Sequence, residues 1–165
     1  MTKQMHRVPL DLRIVGSSAG VFIKSCPWIG SVDGVCTLQE RFTVTFVSDG
    51  RTTSLRDRRI SEVELLELRD FLRAATTEDL PHISVAKFET ASGVLNAAVV
   101  EGDAYSLILE FSARSYFGDG DTDTDGVGLS LPRGALWEAF TALDERLGLA
   151  ANLPDDLSGL EGRLC

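Results

Sequence analysis

Short runs of alternating apolar residues, an Asp-Gly turn between two of them and two stretches with helical spacing predict an α+β fold. The expected architecture is a mostly antiparallel β-sheet of about seven to eight strands with two packed helices, at about 62–75 and 133–147. The 165 residues fit one domain. We take it as 1–148, with 149–165 a loosely packed tail broken by Pro154, Gly159 and Gly162. Apolar residues make up 44% and charged residues 25%, an ordinary globular balance. At this size roughly two-thirds of the chain's surface is buried on folding, so neither metal nor disulfide is needed to staple it.

Leu10, Leu12 and Ile14 alternate with charged neighbours, and Val21 and Ile23 follow a Gly16–Gly20 break, which reads as a short strand pair. Cys26–Gly34 holds Pro27, Trp28, Gly30 and the turn signal Asp33-Gly34, and reads as a loop. Val35–Val47 is β-rich, with Phe42, Val44 and Phe46 on one face. Asp49-Gly50 follows at once, and Arg51–Arg56 can return as the second strand of a hairpin, because Asp-Gly accepts the positive φ of a tight turn.

Ser61-Glu62-Val63-Glu64 fits a capping box that opens the first helix. Leu65, Leu68, Leu72 and Ala75 form its buried stripe, with Leu66 and Phe71 on the flanks; Glu62 and Glu64 suit its positive end and Arg73 its negative end. Thr76–Pro81 is a loop, and three β-like runs follow at Ile83–Thr90, Gly93–Val100 and Ala104–Phe111. The Gly- and Asp-rich stretch 118–126 reads as loop, and Val127–Leu131 as strand. Pro132 suits the first position of a helix whose stripe is Leu136, Phe140, Leu143 and Leu147, with Trp137 beside it, partly buried, and Gly148 the stop. The chain thus reads twice as strands followed by a helix, an order that also recurs in unrelated folds.

The formal net charge is −9. This argues against nonspecific nucleic-acid or anionic-membrane binding and is compatible with a basic partner. Residues 1–100 are neutral, whereas 101–126 hold seven acids against Arg114 alone, a net of −6. No apolar run approaches the ~20 residues needed to span a bilayer. Met1–Arg13 lacks the apolar core of a secretory signal, so the expected location is cytoplasmic. There the three cysteines, Cys26, Cys36 and Cys165, are expected to be reduced, although Cys26 and Cys36 could meet across a hairpin.

No catalytic constellation emerges. The histidines, His6 and His82, stand near no Ser or Cys nucleophile motif; no phosphate-cradling Gly-Lys-Ser/Thr loop and no zinc spacing occur. The expectation is a non-enzymatic protein with no cofactor and no metal. Asp121-Thr-Asp123-Thr-Asp125-Gly126 matches positions 1, 3, 5 and 6 of a calcium loop, but the bidentate Glu due at position 12 is Pro132, which argues against an EF-hand. Arg51, Arg56, Arg58 and Arg59 are expected to salt-bridge to the acidic start of the first helix.

The helix Glu64–Leu72 (Glu-Leu-Leu-x-Leu-x-x-Phe-Leu), the strand Tyr105–Phe111 (Tyr-Ser-Leu-Ile-Leu-Glu-Phe) and the closing strand and Pro-initiated helix of Val127–Leu147 give a familiar order. Over about residues 35–147 the chain resembles WapI-like bacterial immunity proteins and related uncharacterised actinobacterial domains. The resemblance implies a cytosolic antidote that binds and neutralises a toxin domain, usually from a neighbouring gene. It brings no catalytic residues. On this reading the partner is a protein, a basic toxin domain, met by an acidic loop whose contacts are Asp119, Asp121, Asp123 and Asp125, with Trp28 as a further binding anchor. The alternative is a calcium- or small-ligand-binding module using the Asp-rich loop 119–126. Homodimerisation through an open sheet edge stays open.

Overall fold

A computed structural model describes residues 9–77, 87–91, 93–116 and 122–148. Among them are eight strands and two helices, an α+β fold as the sequence predicts. Strands β1 (Asp11–Val15), β2 (Ala19–Val32), β3 (Val35–Ser48) and β4 (Arg51–Arg58) form one antiparallel meander, followed by helix α1 (Glu62–Thr77). Strands β5 (Lys87–Glu89), β6 (Asn96–Gly102), β7 (Ser106–Tyr116) and β8 (Thr122–Pro132) form a second. A 3₁₀ turn (Arg133–Leu136) then leads into α2 (Trp137–Leu147).

The core lies between the two sheets and under the helices. Leu12 and Ile14 of β1, Val21 and Ile23 of β2 and Phe42, Val44 and Phe46 of β3 are buried on one face of the first sheet. Leu107, Leu109, Phe111, Val127, Leu129 and Leu131 are buried on one face of the second. The two-residue period of a strand sends their neighbours to the opposite faces. Strand β8 packs against β2 and β3, where Gly16 comes so close to the Ser130 carbonyl that an added Cβ would stand 2.9 Å from it.

The capping box at the start of α1 closes as expected. The Ser61 amide donates to Glu64 Oε2 (2.8 Å) and the Glu64 amide to Ser61 Oγ (3.1 Å). Leu65, Leu68, Phe71, Leu72, Ala74 and Ala75 are buried, and Leu66 is exposed. The helix runs two residues beyond the expected end, as the hydroxyls of Thr76 and Thr77 donate back to the carbonyls of Leu72 and Arg73, so Arg73 falls short of the last turn. Arg69 joins the helices: its Nε donates to Asp144 (2.8 Å) and its guanidinium lies over the Phe140 ring. Hydrogen bonds to Asp70 and Asp144 outweigh its partial burial and raise its pKa. Helix α2 ends at Gly148 in the left-handed conformation (φ 68°).

Four expectations are corrected. Cys26–Val32 is strand, continuous with β2, and only Asp33 and Gly34 turn, both with positive φ. Thr122–Gly126 is strand, because pairing with β7 overrides the weak β preference of Asp and Gly. Pro132 ends β8 in extended backbone (φ −63°, ψ 144°) instead of opening the helix, which starts through the 3₁₀ turn. Trp137, expected to be partly buried, is 56% exposed, resting on Phe140 with ring centroids 5.4 Å apart. His6, His82, Ile83–Ala86, Cys165 and the tail 149–165 lie outside the described residues. Among the described residues no helix is long and apolar enough to cross a membrane.

Candidate interaction surface

Strands β2 and β3 are far longer than their neighbours. The β1–β2 ladder runs from Val15↔Gly20 to Asp11↔Lys24, and the β3–β4 ladder from Ser48↔Arg51 to Phe42↔Arg58. From Cys26↔Arg41 to Val32↔Val35, β2 and β3 pair only with each other among the described residues. Seven rungs thus project as a two-stranded ribbon, about 20 Å long at ~3.3 Å per residue.

Local chemistry produces this geometry. The Ser25 amide donates to the Leu10 carbonyl (2.8 Å), and the Leu10 amide to Ser25 Oγ (2.7 Å), closing the end of β1. Two residues on, the nitrogen of Pro27 faces the same side and has no hydrogen to offer, so the third strand stops where its donor does. On the other flank an extra residue bulges β4 between Leu55 and Arg58, with Asp57 at φ 58°, and carries the chain towards buried Ile60 and α1. At the tip, Asp33 (φ 52°) and Gly34 (φ 77°) make the two-residue turn that matches strand twist.

Cys26, Pro27, Ser31, Asp33, Gly34, Val35 and Cys36 are exposed, Val35 to 62%. Trp28 stands opposite Gln39 and Ile29 opposite Leu38; of Trp28 only the backbone is described. The foot of the ribbon is pinned by Arg146 at the end of α2. Its Nη1 donates to Glu40 Oε2 (2.6 Å), and its Nη2 to Glu40 Oε1 and to Glu62 Oε1, the latter at 3.1 Å. Burial opposes the charged form of Arg146, but hydrogen bonds and charge from Glu40 and Glu62 outweigh it and raise its pKa.

Beside this foot, the outer face of the first sheet holds an open hollow of about 650 Å³. Each strand contributes one cation: Arg13, Lys24, Arg41 and Arg56. Phe22 lies between Arg13 and Thr45 in the register. Asp11 and Asp57 are the acids that line the hollow, and the charge of Glu138 on α2 also reaches Arg13. Arg13 bonds to Asp11 (3.2 Å), and this hydrogen bond raises the Arg13 pKa.

The acidic candidates are placed elsewhere. Asp119 and Asp121 lie outside the described residues. Asp123 and Asp125 sit in β8, opposite Ser115 and Ala113, and Asp125 is half-buried. Gly126 shares a hollow with Phe46, Ser48 and Asp49, at the end of the first sheet away from the ribbon. Nine steps along β3 separate Ser48 from Gln39, opposite Trp28, so Gly126 and Trp28 stand about 30 Å apart. The structure therefore does not bring Trp28 together with Asp123 and Asp125. Asp103, also in the acidic stretch, serves its own turn, accepting from the amides of Tyr105 (2.8 Å) and Ser106 (2.9 Å), which lower its pKa. A calcium loop would wrap its oxygens around the ion, whereas Asp123 and Asp125 extend in a regular ladder. Among the described residues no three His, Cys, Asp or Glu side chains cluster as metal ligands would.

Of the basic run, Arg58 reaches across to the Arg114 carbonyl (2.6 Å), and Glu62 at the start of α1 receives Arg146, which the sequence reading did not foresee. No family model matches the chain, and no curated protein matches it. Among solved structures it is similar to the crystal structure of WHY1 from Arabidopsis thaliana, at 12% identity and a TM-score of 0.41, over 88% of this chain and 95% of that one.

Proposed function

We propose that this chain is a cytoplasmic protein-binding module of the toxin-immunity kind its sequence resembles, and that it grips its partner with the β2–β3 ribbon. One observation carries the reading: seven rungs of β-ribbon extend past β1 and β4, with neither edge paired among the described residues. An isolated two-stranded hairpin gains little stability by itself. Open edges and the apolar residues Trp28, Ile29, Val32, Val35 and Leu38 along this one gain most from a partner that pairs with or covers them. The acidic stretch 119–125 adds long-range attraction for a basic toxin domain, the partner the resemblance implies.

The test uses the toxin domain encoded beside this gene, if one is found there. Trp28→Ala with Val35→Asp should weaken its binding at least about tenfold in calorimetry, as loss of a central anchor does. Wild-type affinity in that variant would overturn the ribbon as the gripping element. Self-association in sedimentation that the same variant abolishes would instead make the ribbon a dimer arm.

A further inference from the structure

We infer that the outer face of the first sheet, at the foot of the ribbon, docks an acidic segment of the protein partner. This rests on the partner-binding reading above and names what the partner presents there. The chain as a whole has 25 acids against 16 Lys and Arg, yet on this face the balance reverses. Arg13, Lys24 and Arg56 are exposed, and Arg41 is 8% exposed at the same hollow. Of these four, Arg13 is engaged by Asp11 and also feels the charge of Glu138, and Asp57 is the other acid lining the hollow. Four strands each deliver one cation to a single concave surface, and such a patch attracts carboxylates by charge and by the forked donors of Arg.

The floor between the cations is firm. The Phe22 ring lies over Gly20, where an added Cβ would stand 2.9 Å from Cε2, and Thr45 Oγ1 is hydrogen-bonded to Ser54 Oγ (3.1 Å). An apolar ring flanked by cations suits a segment that intersperses acids with apolar side chains. A phosphate polymer carries charge at every step and would meet Asp57 on the same face. The hollow is also continuous with the ribbon, because Cys26 and Arg41 line it and form the ribbon's first rung.

The experiment is an NMR titration of the ¹⁵N-labelled full chain with a decapeptide alternating Asp or Glu with Ser and Leu. Oligothymidylate and a Lys-rich decapeptide are run in parallel. The acidic peptide should shift the amides of Arg13, Lys24, Thr43 and Arg56 saturably, and bind at least about tenfold more weakly as salt rises from about 50 to about 300 mM. Lys24→Glu with Arg56→Glu, both at exposed positions, should abolish those shifts while leaving the remaining amide spectrum in place. The inference is overturned by no saturable shift on this face, by shifts that persist in the double variant, or by shifts with oligothymidylate alone, which would make the face a phosphate-polymer site. Against the toxin domain, unchanged affinity in Lys24→Glu/Arg56→Glu with loss in the ribbon variant would sink this inference alone. Loss in the former with none in the ribbon variant would sink the ribbon's role and leave the acidic-segment contact standing.

Discussion

Arg146 and Glu40 meet as a two-pronged ion pair across 106 residues of sequence, fastening the last turn of α2 to the foot of the ribbon. The Arg146 side chain is 1% exposed and Glu40 20%, so the pair is largely withdrawn from water, and removing one member leaves the other poorly solvated. Arg146→Met should cost about 3 kcal/mol in urea unfolding, the low end for breaking a buried pair, because the second acceptor, Glu62, is 43% exposed. Amide exchange at residues 36–41 should quicken more than exchange in α1. The raised Arg146 pKa places its pH dependence out of ordinary reach: its contribution is fully present below the unfolded value and is lost only above the folded one.

Asp103 offers a titration in the accessible range. Its carboxylate is held below the usual value of 3.8, first by the Tyr105 amide and then by that of Ser106. A depressed folded pKa means that the contribution to stability is present above 3.8 and lost as pH falls through the folded value. Carbon-detected NMR of the Asp103 carboxyl should give a midpoint under 3.8, with the Tyr105 and Ser106 amides shifting in parallel. In Asp103→Asn that shared titration should vanish.

Gly16 should tolerate no side chain. A Cβ there would stand 2.9 Å from the Ser130 carbonyl, which also accepts the Ser17 amide (3.1 Å). Both neighbours are backbone and cannot swing aside, so Gly16→Ala must part the β1–β2 turn from β8. We expect a loss of about 1–3 kcal/mol, the range for overpacking a close contact, read by thermal or urea unfolding. Gly128→Ala, which meets open space, is the matched control.

Much of the fold was legible because local and global signals agree in it. Asp49-Gly50 closes β3 onto β4, Ser61 and Glu64 cap α1, and the Leu136, Phe140 and Leu143 stripe is buried. The β2 half of the ribbon, Cys26–Val32, was missed because strand signals are read from one-sided burial. Cys26, Pro27 and Ser31 are exposed, and Pro27 and Gly30 read as breakers where they mark an edge. The basic hollow was illegible for another reason: Arg13, Lys24, Arg41 and Arg56 share no spacing, and only the register of four strands gathers them.

Cys26 and Cys36 flank the ribbon tip in sequence but do not face each other. Cys26 pairs with Arg41 and Cys36 with Ser31, five rungs away. At ~3.3 Å per residue this is about 16 Å, well past the ~7 Å limit for a disulfide. Both are free and exposed. Under mild oxidation peptide mapping should find no Cys26–Cys36 link within a chain, and each should alkylate readily in the native protein. A high yield of that link would mean that the ribbon register is wrong.

The ribbon and the acidic strand should separate kinetically. Contacts that are buried on binding govern how long a complex lasts, whereas charge outside the contact governs how fast partners meet. With a basic toxin domain as partner, replacing Asp119, Asp121, Asp123 and Asp125 by Asn should lower the association rate several-fold and flatten its salt dependence, with little change in dissociation. Trp28→Ala with Val35→Asp should do the reverse, speeding dissociation at least about tenfold at a nearly constant association rate. Surface plasmon resonance over a salt series reads both. If the Asn variant speeds dissociation as much as the ribbon variant does, the aspartates are themselves buried against the partner, and the division of labour between the ribbon and the acidic stretch is wrong.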